Sequence, residues 1–538
     1  MKHILFIVVV FCMIIISCST SKNSYSSIMS ETGSVKLITL DPGHFHAALI
    51  QNKFYPQVDS TVYVYAPKGE DLNEHLKKIE SYNLQTINPT HWNEIVYDES
   101  DYLEKMLADR KGNVVVLAGN NGKKTDYIER SLEAGFNVLA DKPMAINSDN
   151  FFLLKKCFSI AKQKGILLYD IMTERNEITT ILQRELSMST DVYGIQEKGS
   201  PKDPAIVKES VHHFFKNVSG NPLKRPAWFF DVDQEGEGIV DVTTHLVDLV
   251  QWEAFPEKSI DYYKDIQLLD ANHWTTAISL SEFRQVTGMT DYPDFLLKDV
   301  KNDSLRVYCN GDILYRLKGV CAKVSVTWKY TFPKGGGDTH FSIMKGSKCN
   351  LVIRQGKDQN YQPELYVEAV KKQDLLAFEK TLNALFKKIA LKYPGITLQK
   401  QSKNVWQVMI SPKYRVGHEA HFGQVMDNFL LYLKNRQLPS WEVPNMLAKY
   451  YLTTTALEVA KKKDKSVTES ERNDYIDIIS KSGQRLLETI NDIIEMSRIE
   501  AGFIKLDVEE VNLFQIIQDL YNFFKPQVDS KGLDFKLY

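Results

Sequence analysis

The sequence predicts an α/β protein: an N-terminal doubly wound parallel sheet, then an α+β domain with a large open, mostly antiparallel sheet, then a C-terminal helical hairpin. Three observations carry this. Over residues 35–170 short apolar, β-branched runs alternate with amphipathic stretches, the pattern of parallel strands joined by crossover helices. Beyond residue 300 the runs alternate apolar and polar residues, as strands with one wet face do. After residue 463 the pattern turns to long helical periodicity. The 538 residues suit about three domains. Hydrophobic residues at 43% and charged residues at 25% are ordinary for globular protein, and a net charge of -2 offers nucleic acid no electrostatic attraction.

Lys2 and His3 precede an apolar run over 4–16, shorter than the ~20 residues that span a bilayer. A short basic start with a short apolar core reads as an export signal. The run ends in Ile15-Ile16-Ser17-Cys18, which resembles the lipobox of bacterial lipoproteins. That resemblance implies lipid on Cys18, a membrane anchor and a place in the bacterial cell envelope; an ordinary signal peptide or a buried strand are the other readings. The expected divisions are a leader over 1–18, a Ser/Thr-rich tether over 19–34, a first domain over 35–170, a second over 171–462 and a tail over 463–538. The six cysteines form no Cys-x-x-Cys pair, so no metal site is expected from them. Cys309 and Cys321 either pair in an exported chain or remain buried thiols.

In the first domain the run at 35–40 is a strand. It leads into Asp41-Pro42-Gly43-His44-Phe45-His46, which turns and becomes a helix. This is where a Rossmann fold places its phosphate loop, yet of G-x-G-x-x-G only Gly43 is present. Cofactor phosphates can still meet a helix N-terminus there. His44, Phe45 and His46 either touch cofactor or substrate or are turn residues. The strand at 61–65 is followed by Ala66-Pro67-Lys68-Gly69-Glu70-Asp71, without an acid at its immediate end, so NAD and NADP are not distinguished. The run at 113–118 is a strand buried on both faces. It is capped by Gly119-Asn120-Asn121-Gly122, where the amides either face a nicotinamide ribose or form a plain turn. A further strand ends in Leu139-Ala140-Asp141-Lys142-Pro143. A charged pair at the carboxyl end of such a strand is where open α/β sheets bind ligands. The strand at 166–170 leads to Glu174-Arg175-Asn176.

In the second domain a helix is expected from Ile239 onward. Asp241, His245 and Asp248 fall at i, i+4 and i+7 and share a face. A His between two carboxylates has a raised pKa and a fixed tautomer, suited to proton transfer; a metal pair or a salt-bridged surface turn is the plainer alternative. Lys334-Gly335-Gly336-Gly337-Asp338 lies between two strands without a helix and reads as a hairpin rather than a phosphate loop. His418 and His421 lie on one face of a late helix. They are too few to hold a metal, and either contact substrate or pack.

Asp141-Lys142-Pro143 resembles the Glu-Lys-Pro signature of the glucose-fructose oxidoreductase / inositol 2-dehydrogenase (Gfo/Idh/MocA) family, with Asp for Glu. Gly238 (or Gly236), Asp241, His245 and Asp248 resemble its second signature, Gly-Gly-x-x-x-Asp-x-x-x-His-x-x-Asp. The resemblance covers roughly 35–462. It implies an NAD(P)-dependent oxidoreductase acting on a sugar, polyol or glycoside, and a sheet platform on which a homo-oligomer can form. It implies His245 as proton acceptor or donor, Lys142 polarising the substrate hydroxyl and Asp241 binding a neighbouring one. It further implies cofactor contacts from Gly43, His44, Phe45, Asn120, Asn121, Asp141 and Lys142, and substrate contacts from Arg175, Asp241, His245 and His418. In an exported protein a tightly held NAD or NADP is expected. A redox-assisted glycosidase and a carbohydrate-binding scaffold without catalysis are the alternatives.

The tail is different. Ile476, Ile479, Leu486, Ile490 and Ile493 fall at coiled-coil spacing. Residues 491–502 resemble the second helix of a sensor histidine-kinase dimerisation domain, and 511–525 its connector. No histidine follows His421, so the phosphoacceptor is missing. The ATP-binding motifs are absent too, and kinase activity is not expected.

Overall fold

The computed structural model describes residues 31–218, 221–370, 373–464, 510, 512–529 and 536. Cys18 and the apolar run before it, the periodic stretch at 469–499 and the kinase-like stretch at 491–502 lie outside the described residues. The chain divides into two units at Asp464/Lys465.

In the first unit, Leu37–Leu40 (β1), Thr61–Tyr65 (β2), Asn93–Tyr97 (β3), Val114–Leu117 (β4), Asn137–Asp141 (β5) and Leu168–Ile171 (β6) form a parallel sheet in the order β3-β2-β1-β4-β5-β6. The strands β1, β4, β5 and β6 are buried along their whole length, which explains their unbroken apolar runs. Helices His46–Leu49 (α1), Glu70–Asn83 (α2), Tyr102–Asp109 (α3), Asn121–Glu133 (α4) and Ser148–Lys164 (α5) lie between the strands in the chain. The strand order reverses between β1 and β4, so the carboxyl ends of these two strands open the crevice where such sheets bind ligands. There the chain must turn tightly. Asp41 takes φ 48°, the left-handed region that favours glycine. Beside it, a Cβ on Gly119 would stand 2.2 Å from the Asp41 carbonyl oxygen, so only glycine lets the two turns meet.

The second sheet begins with Ile206–His213 (β7), after helix Ile178–Ser187 (α6). Helix Thr243–Ala254 (α7) follows, then Ile266–Ser279 (β8), helix Leu280–Thr287 (α8), and strands Ser304–Leu317 (β9), Val320–Lys329 (β10), Thr339–Lys345 (β11), Cys349–Gln355 (β12) and Glu364–Ala369 (β13). Helix Leu375–Lys392 (α9) leads to Thr397–Ser402 (β14) and Val405–Met409 (β15). The order is β8-β9-β10-β7-β11-β12-β13-β15-β14. Only β10 and β7 pair in parallel along this path; the other pairs are antiparallel, as expected. The glycine-rich stretch 334–337 is not a hairpin. The strands it joins, β10 and β11, do not pair, because β7 lies between them and bonds to both.

Helices His418–Asn435 (α10) and Glu442–Asp464 (α11) close the unit. Phe422, Met426, Phe429, Met446 and Tyr450 pack into the core of the first sheet, so the core expected for residues 35–170 also draws on the far end of the chain. Cys157, Cys309, Cys321 and Cys349 are buried free thiols; Cys309 and Cys321 do not pair. In the second unit Leu513–Asp529 is a helix (α12), over the stretch that resembles a kinase connector.

Candidate functional site

The carboxyl end of β5 delivers Asp141 and Lys142, and the Lys142–Pro143 peptide is cis. Lys142 pairs with Asp241, both nearly buried. Burial alone would lower the Lys142 pKa, but the charges of Asp241, Asp141 and Glu235 more than offset it and raise the value. Lys142 is therefore a fixed ammonium, suited to polarise an oxygen and not to accept a proton.

Asp241 lies in a turn ahead of α7, not in the helix expected from Ile239. The turn is forced by close packing: a Cβ on Gly238 would stand 1.8 Å from the Cys309 carbonyl oxygen. His245 follows in the first turn of α7. Its expected place between two carboxylates is not observed. Asp241 is taken by Lys142, and Asp248 by Arg175 and Lys449 at 2.6 and 2.9 Å. The buried Nδ1 of His245 has no hydrogen-bond partner among the described residues. Burial, then the Lys142 charge, lower its pKa well below the usual imidazole value, the opposite of the expected rise. His245 is thus neutral at neutral pH and able to accept a proton.

Both residues line a cavity of about 830 Å³, together with His44, Phe45, His46, Glu174, Arg225, Glu235, Asp241, Trp328, Asp338, His418 and His421. The parallel sheet supplies one wall and the second sheet another. On the latter, Asp338 accepts from Lys216 at 2.7 Å and contacts His213 Nδ1 at 2.8 Å. Arg225 donates to the Phe214 carbonyl at 3.0 Å and lies over the rings of Phe229 and Trp328. Glu174 is pushed up to about 7 by burial and then by Glu177. His418, 3.7 Å from Glu174, is lowered to about 4 by burial first. Arg175, expected to touch substrate, does not line this cavity: it is buried, and Asp248 and Glu442 occupy its guanidinium.

At the β1 turn, His46 Nδ1 contacts Asp141 Oδ2 at 2.8 Å and His44 Nδ1 lies 4.0 Å from the same oxygen. The two rings stand edge to face at 4.0 Å. Gly43 is covered: a Cβ there would lie 3.1 Å from the Trp228 ring, and Trp228 Nε1 donates to Asp71 at 2.8 Å. Asn120 donates to Gln234 at 2.7 Å, and Asn121 to the carbonyl and carboxylate of Glu235 at 2.8 and 3.0 Å. These two amides hold the 231–236 segment and do not line the cavity. Across the Gly43 turn lies a smaller cleft of about 240 Å³, formed by Asp41, Pro42 and residues 66–72.

Sequence reasoning missed Glu174, Glu235, Arg225, Asp338 and Trp228. Glu174 adjoined a stretch already singled out, and Glu235 opened the second signature. The other three are brought in by the second sheet and its connections and belong to no local motif.

The sequence model described as "Oxidoreductase family, NAD-binding Rossmann fold" matches residues 61–169, and that described as "Putative oxidoreductase C terminal domain" matches 182–461. The first match begins after the β1 turn, where the glycine fingerprint is missing. A solved structure titled a "putative oxidoreductase" from Parabacteroides merdae is 70% identical, covers 80% of this chain and 99% of that chain, and has a TM-score of 0.79. An oxidoreductase structure from Thermotoga maritima is 11% identical with a TM-score of 0.51, covering 79% of this chain and 98% of that one. A levoglucosan dehydrogenase solved with NADH and levoglucosan is 13% identical with a TM-score of 0.51, covering 79% and 97%. At such identities the last two establish the fold alone. A stretch of 82 residues is 29% identical to an autoinducer 2 sensor kinase/phosphatase of Vibrio vulnificus (strain YJ016), covering 15% of this chain. The chain spans only about 10% of the length of that curated relative. Fold, site and matches agree, and the chain belongs to the Gfo/Idh/MocA family of NAD-binding oxidoreductases.

Proposed function

We propose that the chain interconverts a hydroxyl and a carbonyl on a sugar, polyol or glycoside, with His245 moving the hydroxyl proton. One observation carries this reading: a fixed ammonium, Lys142, its carboxylate partner Asp241 and a neutral imidazole, His245, converge on one cavity. Lys142 donates to the reacting oxygen and disperses negative charge on it as the proton leaves. The unpaired Nδ1 of His245, or its other ring nitrogen, accepts that proton. Asp241 accepts from a neighbouring hydroxyl. The aromatic faces of Phe45, Phe229 and Trp328, set among Asp338, Arg225 and Glu174, suit a ligand with apolar C–H faces and many hydroxyls.

The dinucleotide fits at its two ends. The chemistry supplied by a bound nicotinamide is hydride acceptance or donation. Lys142 and His44 would hold that end, in the large cavity. Glu70 and Asp71 in the smaller cleft suit the ribose hydroxyls and would repel an added phosphate, while Lys68 there is paired with Glu99 at 3.0 Å, which favours NAD over NADP. Between the ends, Trp228 covers Gly43, so this indole must move for the phosphates to reach the turn. We further propose export with lipid on Cys18.

One feature of the cavity favours redox-assisted glycosidase action as a second reading. Glu174, pushed up to about 7, can keep a proton for a leaving oxygen at neutral pH. Purified protein incubated with NAD and sets of free sugars, polyols and glycosides tests both. Reduced nicotinamide accumulating with a carbohydrate supports the first reading, and glycoside cleavage without net reduction the second. His245→Ala is expected to lower turnover by about 10²–10⁴-fold with dinucleotide affinity retained. Unchanged turnover in that variant removes His245 from the chemistry.

A further inference from the structure

The β1 turn carries a cluster of which the oxidoreductase reading uses His44 alone. His44, His46 and Asp141 each offer one donor atom, and these three atoms all lie within 4.8 Å of one another. An ion held at about 2.1 Å from imidazole and carboxylate donors needs them no more than about 4.2 Å apart. Two of the separations, 2.8 and 4.0 Å to the Asp141 oxygen, fall under that limit; the third is under 4.8 Å, and closing it requires the His44 ring to turn away from the His46 amide that donates to its Nδ1 at 3.3 Å.

The chemistry of the donors suits a metal. Two imidazoles with one carboxylate are a recurring ligand set of catalytic zinc and non-haem iron sites that leave positions open. His44 and His46 are one residue apart in a tight turn, so the backbone itself sets their spacing. Both rings line the cavity, and Asp141 lies buried behind them at the end of β5. A further imidazole, that of His418, is centred 5.6 Å from the His46 ring, and His421 adjoins it on α10. Nearby cations do not forbid an ion. Lys142 is paired with Asp241, and Lys124 is engaged by Asn121 and the Asp141 carbonyl; the Asp141 Oδ1 accepts from the Lys142 amide at 3.0 Å, which leaves Oδ2 to the histidines.

We propose that His44, His46 and Asp141 bind one divalent first-row transition ion at the floor of the cavity, with its remaining positions open to the ligand above. The site would be a second means, beside Lys142, of holding a substrate oxygen. It does not depend on the dinucleotide.

The test uses the full chain freed of metal by a chelator and then titrated with Co²⁺ alone and with Zn²⁺ alone, without dinucleotide. Expected are one ion bound per chain, an intensified visible absorption of Co²⁺ in a site of low symmetry, and a rise in Tm with Zn²⁺. His46→Ala and Asp141→Asn should each weaken binding by about 100-fold or more. Because Asp141 is buried and its variant can fail to fold, His44→Gln at the cavity wall provides a second variant with the same expected loss. A Co²⁺ spectrum that stays that of the aqueous ion, together with no Zn²⁺ effect on Tm, overturns the proposal. Binding that persists undiminished in folded His44→Gln and His46→Ala proteins overturns it as well.

Discussion

Two clusters of buried charge flank helix α7, and they are built in opposite ways. At one of them Asp248 receives Arg175 at 2.6 Å and Lys449 at 2.9 Å; Arg175 also meets Glu442 at 2.8 Å, and Lys449 meets Asp170 at 2.6 Å. These charges are nearly sealed from water and the guanidinium is answered by two carboxylates. One turn earlier on the same face, His245 has an unanswered Nδ1 among the described residues and shares a cavity with Lys142, His44, His46 and Glu174. The first arrangement ties β6, the Thr173–Asn176 turn, α7 and α11 into one body. The second leaves the His245 Nδ1 facing no protein partner at the cavity wall, where a ligand or water can reach it. Burial and perturbed titration are common to both, and the unpaired donor beside a cavity is what separates machinery from framework.

That contrast can be broken at several points, in falling order of effect. Asp248→Ala strands Arg175 and Lys449 and should cost about 3–5 kcal/mol, read as a lower denaturation midpoint. A loss under about 1 kcal/mol would mean that water already screens this cluster. Lys142→Met removes the ammonium from the cavity and should lower turnover by about 10²–10³-fold, with some fall in Tm as well because buried Asp241 loses its partner. The reverse outcome, a large Tm loss with turnover kept, would move Lys142 to the framework.

His75 offers a third point, away from the cavity. Both of its ring nitrogens are buried without partners among the described residues, and burial lowers its pKa to about 4. The unfolded chain takes this proton near 6.5, the folded chain only near 4. Between those values the unfolded state binds more protons, so this residue removes stability as pH falls from 6.5 toward 4. The drop amounts to about 3 kcal/mol. His75→Leu should abolish that share of the acid loss, measured as unfolding free energy at the two pH values; an identical slope in both proteins would contradict it. The smallest effect is expected at Trp228. Trp228→Ala uncovers Gly43 and should tighten NAD binding a few-fold, seen by titration calorimetry. Weaker binding would make the indole a cofactor contact instead of a cover.

How far the site was legible in sequence follows from the range of the forces involved. The buried strands β1, β4, β5 and β6 announced themselves because each is apolar along its length. The edge strand β3 did not: Asn93, Glu94 and Tyr97 interrupt its apolar residues, and one side of the strand has no partner. Lys142, Asp241 and His245 were found together because two local signatures carry them. Their pairing was misread, since the partner that takes Asp248 lies 73 residues away and Glu442 is 267 residues from Arg175. Local spacing on a helix cannot report a guanidinium arriving from elsewhere. The covering of Gly43 by Trp228, and the meeting of His44, His46 and Asp141, are likewise products of tertiary packing. The glycine-rich stretch at 334–337 was assigned to a hairpin for the same reason, because nothing local shows β7 entering between its two strands.

The oxidoreductase reading stands or falls on whether this altered β1 turn still serves a dinucleotide. The most direct measurement takes protein lacking residues 1–18 from a cofactor-replete cytoplasm, denatures it and assays the supernatant for NAD(H) and NADP(H), with titration of the emptied protein alongside. NAD released in proportion to protein, or bound on titration in preference to NADP, is the expected result. Neither release nor binding of any of the four forms would contradict it and leave the cavity to a carbohydrate-binding scaffold.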